Sequence, residues 1–204
     1  MSTIDFYFDY SSPFAYLAAT QIERVAKEKE ANVVYKPFLL GGLFKSIGTP
    51  MVPLFSFSAP KQKYYQRDMQ LWSQYWGVPL NQPSIFPMNT VKALRLTLIA
   101  LQENPAAAPQ LIAQIYAAFW VDGKDISSED VLASLLNEAN CPEEWLTRIA
   151  MPEVKQALKE ATSQAVDRGV CGAPSMDVNG YLFWGQDRLD FVEKVLDGWE
   201  PKIG

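Results

Sequence analysis

Hydrophobic residues follow one period at both ends of this chain and another through its middle. That change of period restricts the fold more than any other feature of the sequence. Alternation with a period of two places side chains on opposite faces of a strand, whereas recurrence at three and four builds one face of a helix. Residues 4–9 (Ile-Asp-Phe-Tyr-Phe-Asp) alternate and predict a first strand. A helical period sets in directly afterwards through Phe14, Leu17, Ala18, Ile22 and Val25, with Glu23, Lys27 and Glu28 on the opposite side. Ser12 suits the N-cap of that helix, and Pro13 its first position, where a missing N–H costs nothing. Residues 32–38 predict a second strand, weakened towards its end by Pro37. The chain thus opens as strand, helix, strand, a right-handed unit with a parallel pair.

The middle reads differently. Gly41-Gly42 and residues 48–60 are loop-like, the latter rich in Pro, Ser and Phe. Helical stripes follow: Tyr65, Met69, Trp72 and Trp76; Val91, Leu94, Leu98 and Leu101; Ile112, Ile115, Tyr116 and Phe119. Ser127-Ser128-Glu129-Asp130 has the form of a capping box before a helix carrying Val131, Leu132, Leu135 and Leu136. A last helix of this region runs from Pro152 to near Gly169. Strand character then returns in residues 175–178 and 181–184, joined by Asn179-Gly180, a strong hairpin signal. A final helix carries Leu189, Val192, Val195 and Leu196 and stops at Gly198.

The fold class that follows is α/β: a thioredoxin-like βαβ plus ββα core with a large all-helical insertion between the two halves. Residues 1–40 and 168–204 are expected to form the thioredoxin-like domain, and residues 41–167 the insertion.

The residue inventory narrows the chemistry. The 204 residues include no histidine, which removes Ser-His-Asp and Cys-His catalysis, His-ligated metals and imidazole base chemistry. Cys141 and Cys171 lie far apart, so no Cys-x-x-Cys and no thiolate metal site is expected; one disulfide between them stays open. The net charge of −5 argues against nucleic acid, whose backbone needs a basic face. No apolar run reaches the roughly 18 residues of a membrane span. The first residues, Met1-Ser2-Thr3-Ile4-Asp5, lack the basic start of a signal peptide, and the expected location is cytoplasmic.

A few residues stand out as candidates for chemistry, each with a plainer reading beside it. Ser12 is a cap, or the place where a helix N-terminus stabilises an anion such as a thiolate. Ala173-Pro174, just before the hairpin, is an ordinary loop or a segment whose backbone pairs with a peptide-like ligand; thioredoxin-like folds place a cis proline there. Gln186-Asp187 begins the last helix, with Asp187 either capping it or binding the polar end of an amino-acid-like ligand. Lys61 opens the first helix of the insertion and is a solvated charge or an anion contact. Cys171 reads as a buried, inert cysteine. The aromatic run Tyr64, Tyr65, Trp72, Tyr75 and Trp76 reads as core, with some of it available to line a pocket for a planar substrate.

Taken together, the motifs resemble a known family. Asp9-Tyr10-Ser11-Ser12-Pro13-Phe14-Ala15-Tyr16 is similar to the Asp-x-x-Ser-Pro-[Phe/Tyr]-x-[Tyr/Trp] opening of 2-hydroxychromene-2-carboxylate isomerases and kappa-class glutathione transferases. Gly169-Val170-Cys171-Gly172-Ala173-Pro174 resembles their Gly-Val-Phe-Gly-x-Pro loop, with Cys171 in place of the usual aromatic residue. Residues 183–189 resemble their Phe-x-Gly-x-Asp-Arg-[Leu/Met], and Phe86-Pro87-Met88-Asn89-Thr90 a Phe-Pro-x-Asn segment of the isomerase branch. The resemblance runs from residue 3 to about 198 with the element order preserved. Thr49 stands near a glutathione-contacting asparagine of the kappa class, and that contact is not carried over.

The resemblance implies a DsbA-like branch of the thioredoxin fold whose Cys-x-x-Cys is replaced here by Ser12-Pro13-Phe14-Ala15. Dithiol exchange at this helix is then impossible, and the implied thiol is borrowed from glutathione. By the same resemblance Ser12 donates a hydrogen bond to the glutathione sulfur, with Ser11 as the fallback. Ala173, before Pro174, pairs with the cysteinyl unit. Gln186 and Asp187 hold the γ-glutamyl end, Lys61 holds the glycyl carboxylate, and Asn89 contacts an aromatic substrate. The implied reaction is isomerisation by reversible thiolate addition, in a homodimer. A kappa-like transferase or peroxidase, and a non-catalytic binding module, remain as alternatives.

Overall fold

A computed structural model describes residues 2–202. β1 (Thr3–Phe8) leads into α1 (Pro13–Glu28) and β2 (Asn32–Pro37). β2 runs parallel to β1 in a register from Thr3 opposite Asn32 to Phe8 opposite Pro37. Pro37 is tolerated because β2 is an edge strand, in a sheet of order β2-β1-β3-β4. β3 (Ser175–Val178) and β4 (Tyr181–Trp184) form the expected hairpin. Asn179 and Gly180 both adopt positive φ, at 51° and 85°, as a two-residue turn of the right twist requires. β3 pairs antiparallel with β1, and a 3₁₀ turn (Gln186–Arg188) leads into α10 (Leu189–Leu196).

Between the two halves lie α2 (Leu40–Ile47), α3 (Pro53–Ser56), α4 (Ala59–Trp76), α5 (Val91–Glu103), α6 (Ala108–Trp120), α7 (Glu129–Glu138), α8 (Trp145–Arg148) and α9 (Pro152–Asp167). α5 and α9 pack on β2 and on each other, while α6 packs on α1. β1 is therefore covered on both faces. Ile4, Phe6 and Phe8 are fully buried and even Tyr7 is nearly so, which is why the strand's alternation fades after Asp5. The stripe Ile112, Ile115, Tyr116 and Phe119 is buried as predicted, with the Tyr116 ring against Phe8, Tyr10 and Tyr16. Tyr10 is buried with its hydroxyl 2.6 Å from Thr97 Oγ1, so the polar end of this core is satisfied.

Several local expectations are corrected. Gly41 and Gly42 are helical, within α2, rather than loop. A Cβ on Gly42 would stand 3.3 Å from Thr162 Cγ2, so the bare backbone lets α2 approach α9, and packing overrides glycine's poor helix propensity. Residues 53–56, also read as loop, form α3. The capping box before α7 does not form: Ser127 N and Oγ both donate to Asp125 Oδ1, at 2.9 and 2.6 Å, and Ser128 makes no side-chain cap bond. The charged Asp125 acceptor draws Ser127 into a turn upstream of the helix instead. α4 is the third helix after β2, not the first, and it is a surface helix. Tyr64 and Tyr75 are 66% and 78% exposed, so this aromatic run is only partly core. Among the described residues no helix is long and apolar enough to cross a membrane.

Candidate functional site

The site is built where β1 ends and α1 begins. Ser12 has extended backbone, and its Oγ accepts from Ala15 N at 3.2 Å, capping α1. The same oxygen donates to the Ala173 carbonyl at 2.7 Å, across 161 positions of sequence. A second tie runs from Gly185 N to the Pro174 carbonyl at 3.0 Å. The Ala173–Pro174 peptide is cis. Three segments far apart in sequence are thus joined by two hydrogen bonds: the start of α1, the proline loop before β3, and the turn after β4. The 3₁₀ turn holding Gln186 and Asp187 also packs on α1. Ser12 is buried and its one hydroxyl proton is given to the Ala173 carbonyl, so a ligand that accepts from it must take that carbonyl's place.

Asp9 organises this corner from beneath. It is buried, and its carboxylate accepts from Ser11 N (2.9 Å), Ser11 Oγ (3.0 Å) and Leu40 N (2.8 Å), with Thr90 as a further side-chain partner. Desolvation pushes its pKa above the ordinary carboxylate value, while these donors pull it back. One carboxylate therefore pins the ends of β1, β2 and the turn before α5 to one another. It also commits the Ser11 hydroxyl, leaving Ser12 as the serine facing the proline loop.

The other candidates sit around this corner to different degrees. Gln186 is buried. Asp187 is exposed, with Oδ2 3.2 Å from Arg188 Nη2, and it caps no helix: the α10 N-cap is Arg188. Gly185 has φ 115°, and a Cβ there would meet Asp187 Oδ1 at 2.5 Å, so only glycine lets the carboxylate fold back over the turn. Lys61 lies in the first turn of α4, exposed, with Nζ 4.0 Å from the Phe57 ring centroid. One turn on, Tyr65 meets Phe14 of α1 at 4.8 Å between ring centroids, which brings this part of α4 beside the start of α1. Asn89 is exposed, and its Oδ1 accepts from Val91 N at 3.2 Å at the start of α5.

Three features escaped the sequence reading. Asp68 on α4 has its pKa raised by burial and then by the charge of Asp187, so the two carboxylates lie within electrostatic reach of one another. An acid inside an aromatic stripe, between Tyr65 and Trp72, was the available signal. Trp184 lies over Gly172: a Cβ there would meet its indole Nε1 at 2.5 Å. Asp9, the first residue of the Asp-x-x-Ser-Pro motif, is the buried acceptor that holds the corner together. Cys171, expected buried, is exposed; Cys141 is buried and neither is in a disulfide. Partial desolvation raises the Cys171 pKa above the ordinary thiol value. Among the described residues no His, Cys, Asp and Glu cluster is arranged to hold a metal ion.

The chain matches the DSBA-like thioredoxin domain family over residues 3–197. It is 31% identical to the 2-hydroxychromene-2-carboxylate isomerase of Sphingobium xenophagum, over 95% of this chain and 97% of that protein. It is 29% identical to glutathione S-transferase kappa 2 of Caenorhabditis elegans, over 95% and 91% of the two chains. The solved structure of a 2-hydroxychromene-2-carboxylate isomerase superposes with a TM-score of 0.87 at 24% identity, covering 96% of this chain and 95% of the other. The chain therefore belongs to the DsbA-like thioredoxin-domain family, within the group of 2-hydroxychromene-2-carboxylate isomerases and kappa-class glutathione transferases.

Proposed function

We propose that this chain is a glutathione-dependent isomerase that converts 2-hydroxychromene-2-carboxylate, or a related aromatic compound, to its trans-benzylidenepyruvate isomer. The observation that carries the reading is the 2.7 Å bond from Ser12 Oγ to the Ala173 carbonyl. The two groups suited to a cysteinyl ligand satisfy each other. A peptide N–H arriving at the Ala173 carbonyl releases the Ser12 proton for a sulfur anion, and neither buried group is orphaned in the exchange. The amides and dipole at the start of α1 favour the same negative charge.

When bound, glutathione supplies a thiolate that adds to the conjugated carbon, makes the restricted bond single so that it rotates, and leaves with its electron pair as conjugation is restored. In this reading Ser12 stabilises the thiolate and Asp9 holds the corner that aims Ser12. Ala173 and Pro174 align the cysteinyl backbone. Gln186 and Asp187 hold the γ-glutamyl end, and an ammonium group beside Asp187 relieves the repulsion felt by Asp68. Lys61 takes the glycyl carboxylate. Asn89 uses its oxygen at the start of α5, leaving its amide N–H for the substrate. Phe14, Phe57 and Tyr65, already in edge contact, offer an aromatic wall.

A kappa-like transferase is the second reading, favoured by the similarity to the Caenorhabditis elegans protein. We further propose a cytoplasmic homodimer; the exposed Tyr64, Leu71 and Tyr75 on α4 support an apolar contact between copies. Product analysis tests the activity. With 2-hydroxychromene-2-carboxylate and a trace of glutathione, the isomer accumulates and glutathione is recovered unchanged. A stable conjugate, or oxidised glutathione, gives the transferase reading instead, and no turnover with either removes both.

A further inference from the structure

A cavity lies away from Ser12. It has a volume of about 360 Å³ and is a trough between α2, α5 and α9. α9 presents Lys155, Leu158, Lys159, Thr162, Ser163 and Val166 to it, positions three and four apart that form one helix face. α5 contributes Arg95. The lining holds three cations and no carboxylate, in a chain whose acids outnumber its bases by 23 to 18. Among the described residues none of Arg95, Lys155 and Lys159 forms an ion pair. Arg95 Nη1 donates to the Ile149 carbonyl at 3.3 Å, but its Nε is buried without any hydrogen-bond partner. A buried guanidinium N–H left unpaired is costly and rare in native proteins. Between and beside these cations the lining is apolar, formed by Leu39, Val91, Leu158 and Val166.

We propose that this trough is a binding site for a small organic carboxylate, with the anionic head between Arg95, Lys155 and Lys159 and an apolar body against Leu39, Val91 and Leu158. The volume lies within the range of small-molecule sites and exceeds what a bare oxyanion fills. The arrangement combines a charge-assisted fork with an apolar floor, which is the lining that a carboxylate on a hydrocarbon frame requires. The site stands apart from the glutathione reading. Neither Ser12, Ala173 nor Gln186 lines it. Its rim residues Leu39 and Val91 are nevertheless next to Leu40 and Thr90, both of which bond Asp9 beneath Ser12.

The test is titration calorimetry on the full chain with three probes: phenylacetate, its neutral analogue phenylacetamide, and inorganic phosphate. Phenylacetate is expected to bind at one site, and phenylacetamide about tenfold more weakly or less, as loss of a charge-assisted contact implies. Lys155→Gln together with Lys159→Gln is expected to weaken phenylacetate at least about tenfold while leaving glutathione binding unchanged. Arg95→Gln should do the same; because Arg95 also bonds Ile149, its thermal melt is recorded alongside, and the lysine pair decides if it unfolds. Equal binding of acid and amide, no binding of phenylacetate, or unchanged affinity in the lysine double variant overturns the proposal. Phosphate binding as tightly as phenylacetate also overturns it, because the apolar walls then contribute nothing.

Discussion

Replacing Ser12 by alanine removes one oxygen with two partners, and the consequences separate into stability and rate. The cap bond to Ala15 N is lost, which costs about 1 kcal/mol. The Ala173 carbonyl loses its 2.7 Å donor in a nearly buried place, which costs about 1–3 kcal/mol, less where water enters. A stability loss of about 2–4 kcal/mol leaves a domain of ordinary stability folded. Rate falls for a different reason. If the hydroxyl donates to a thiolate, its removal forfeits a charge-assisted bond of about 1.5–3 kcal/mol, or about one to two decades in turnover. The assay is kcat at saturating glutathione, well below the melting temperature, with urea unfolding measured in parallel. Ser11→Ala is the control, since Ser11 Oγ is spent on Asp9; it should retain most of the activity. A folded Ser12→Ala protein that turns over as fast as the parent refutes the reasoning.

Asp187→Asn is expected to raise the KM for glutathione about tenfold with little change in kcat, as the loss of a ligand-binding charge implies; equal parameters in initial-rate kinetics contradict that role. Burial raises the Tyr16 phenol to about 12, above its ordinary value of about 10. The unfolded chain therefore ionises first, and stability falls as pH rises from about 10 to about 12 before levelling. Tyr16→Phe should remove part of that slope in urea titrations, and an unaltered slope counts against the assignment. Gly172→Ala forces the indole of Trp184 aside, so it should shift the fluorescence contributed by Trp184, read as the difference from Trp184→Phe; an unshifted difference spectrum shows that the contact does not persist in solution.

The parts of the fold legible from sequence were those fixed by local chemistry. The alternation in residues 4–9, the Ser12-Pro13 helix start and the Asn179-Gly180 turn each demand one backbone geometry, and each was found. What escaped depends on partners distant in sequence. Gly41-Gly42 reads as a loop until Thr162 is known to press against Gly42. The aromatic side chains of α4 read as core because hydrophobicity does not say whether a neighbour covers them, and Tyr64 and Tyr75 are left open. Around the candidate site, Ser12, the proline loop and the 185–187 turn were legible as motifs. The Asp68–Asp187 repulsion and the four-way pinning of Asp9 were not, because each joins elements whose adjacency the fold creates.

The most direct measurement is the thiol pKa of glutathione in complex with the protein, followed by NMR of glutathione labelled at the cysteinyl carbon. Saturable binding is expected, with a thiol pKa below the ordinary value of about 8.5, rising by about one to two pH units in Ser12→Ala. Failure to bind, or a bound thiol that titrates as it does in water and identically in both proteins, contradicts the glutathione reading.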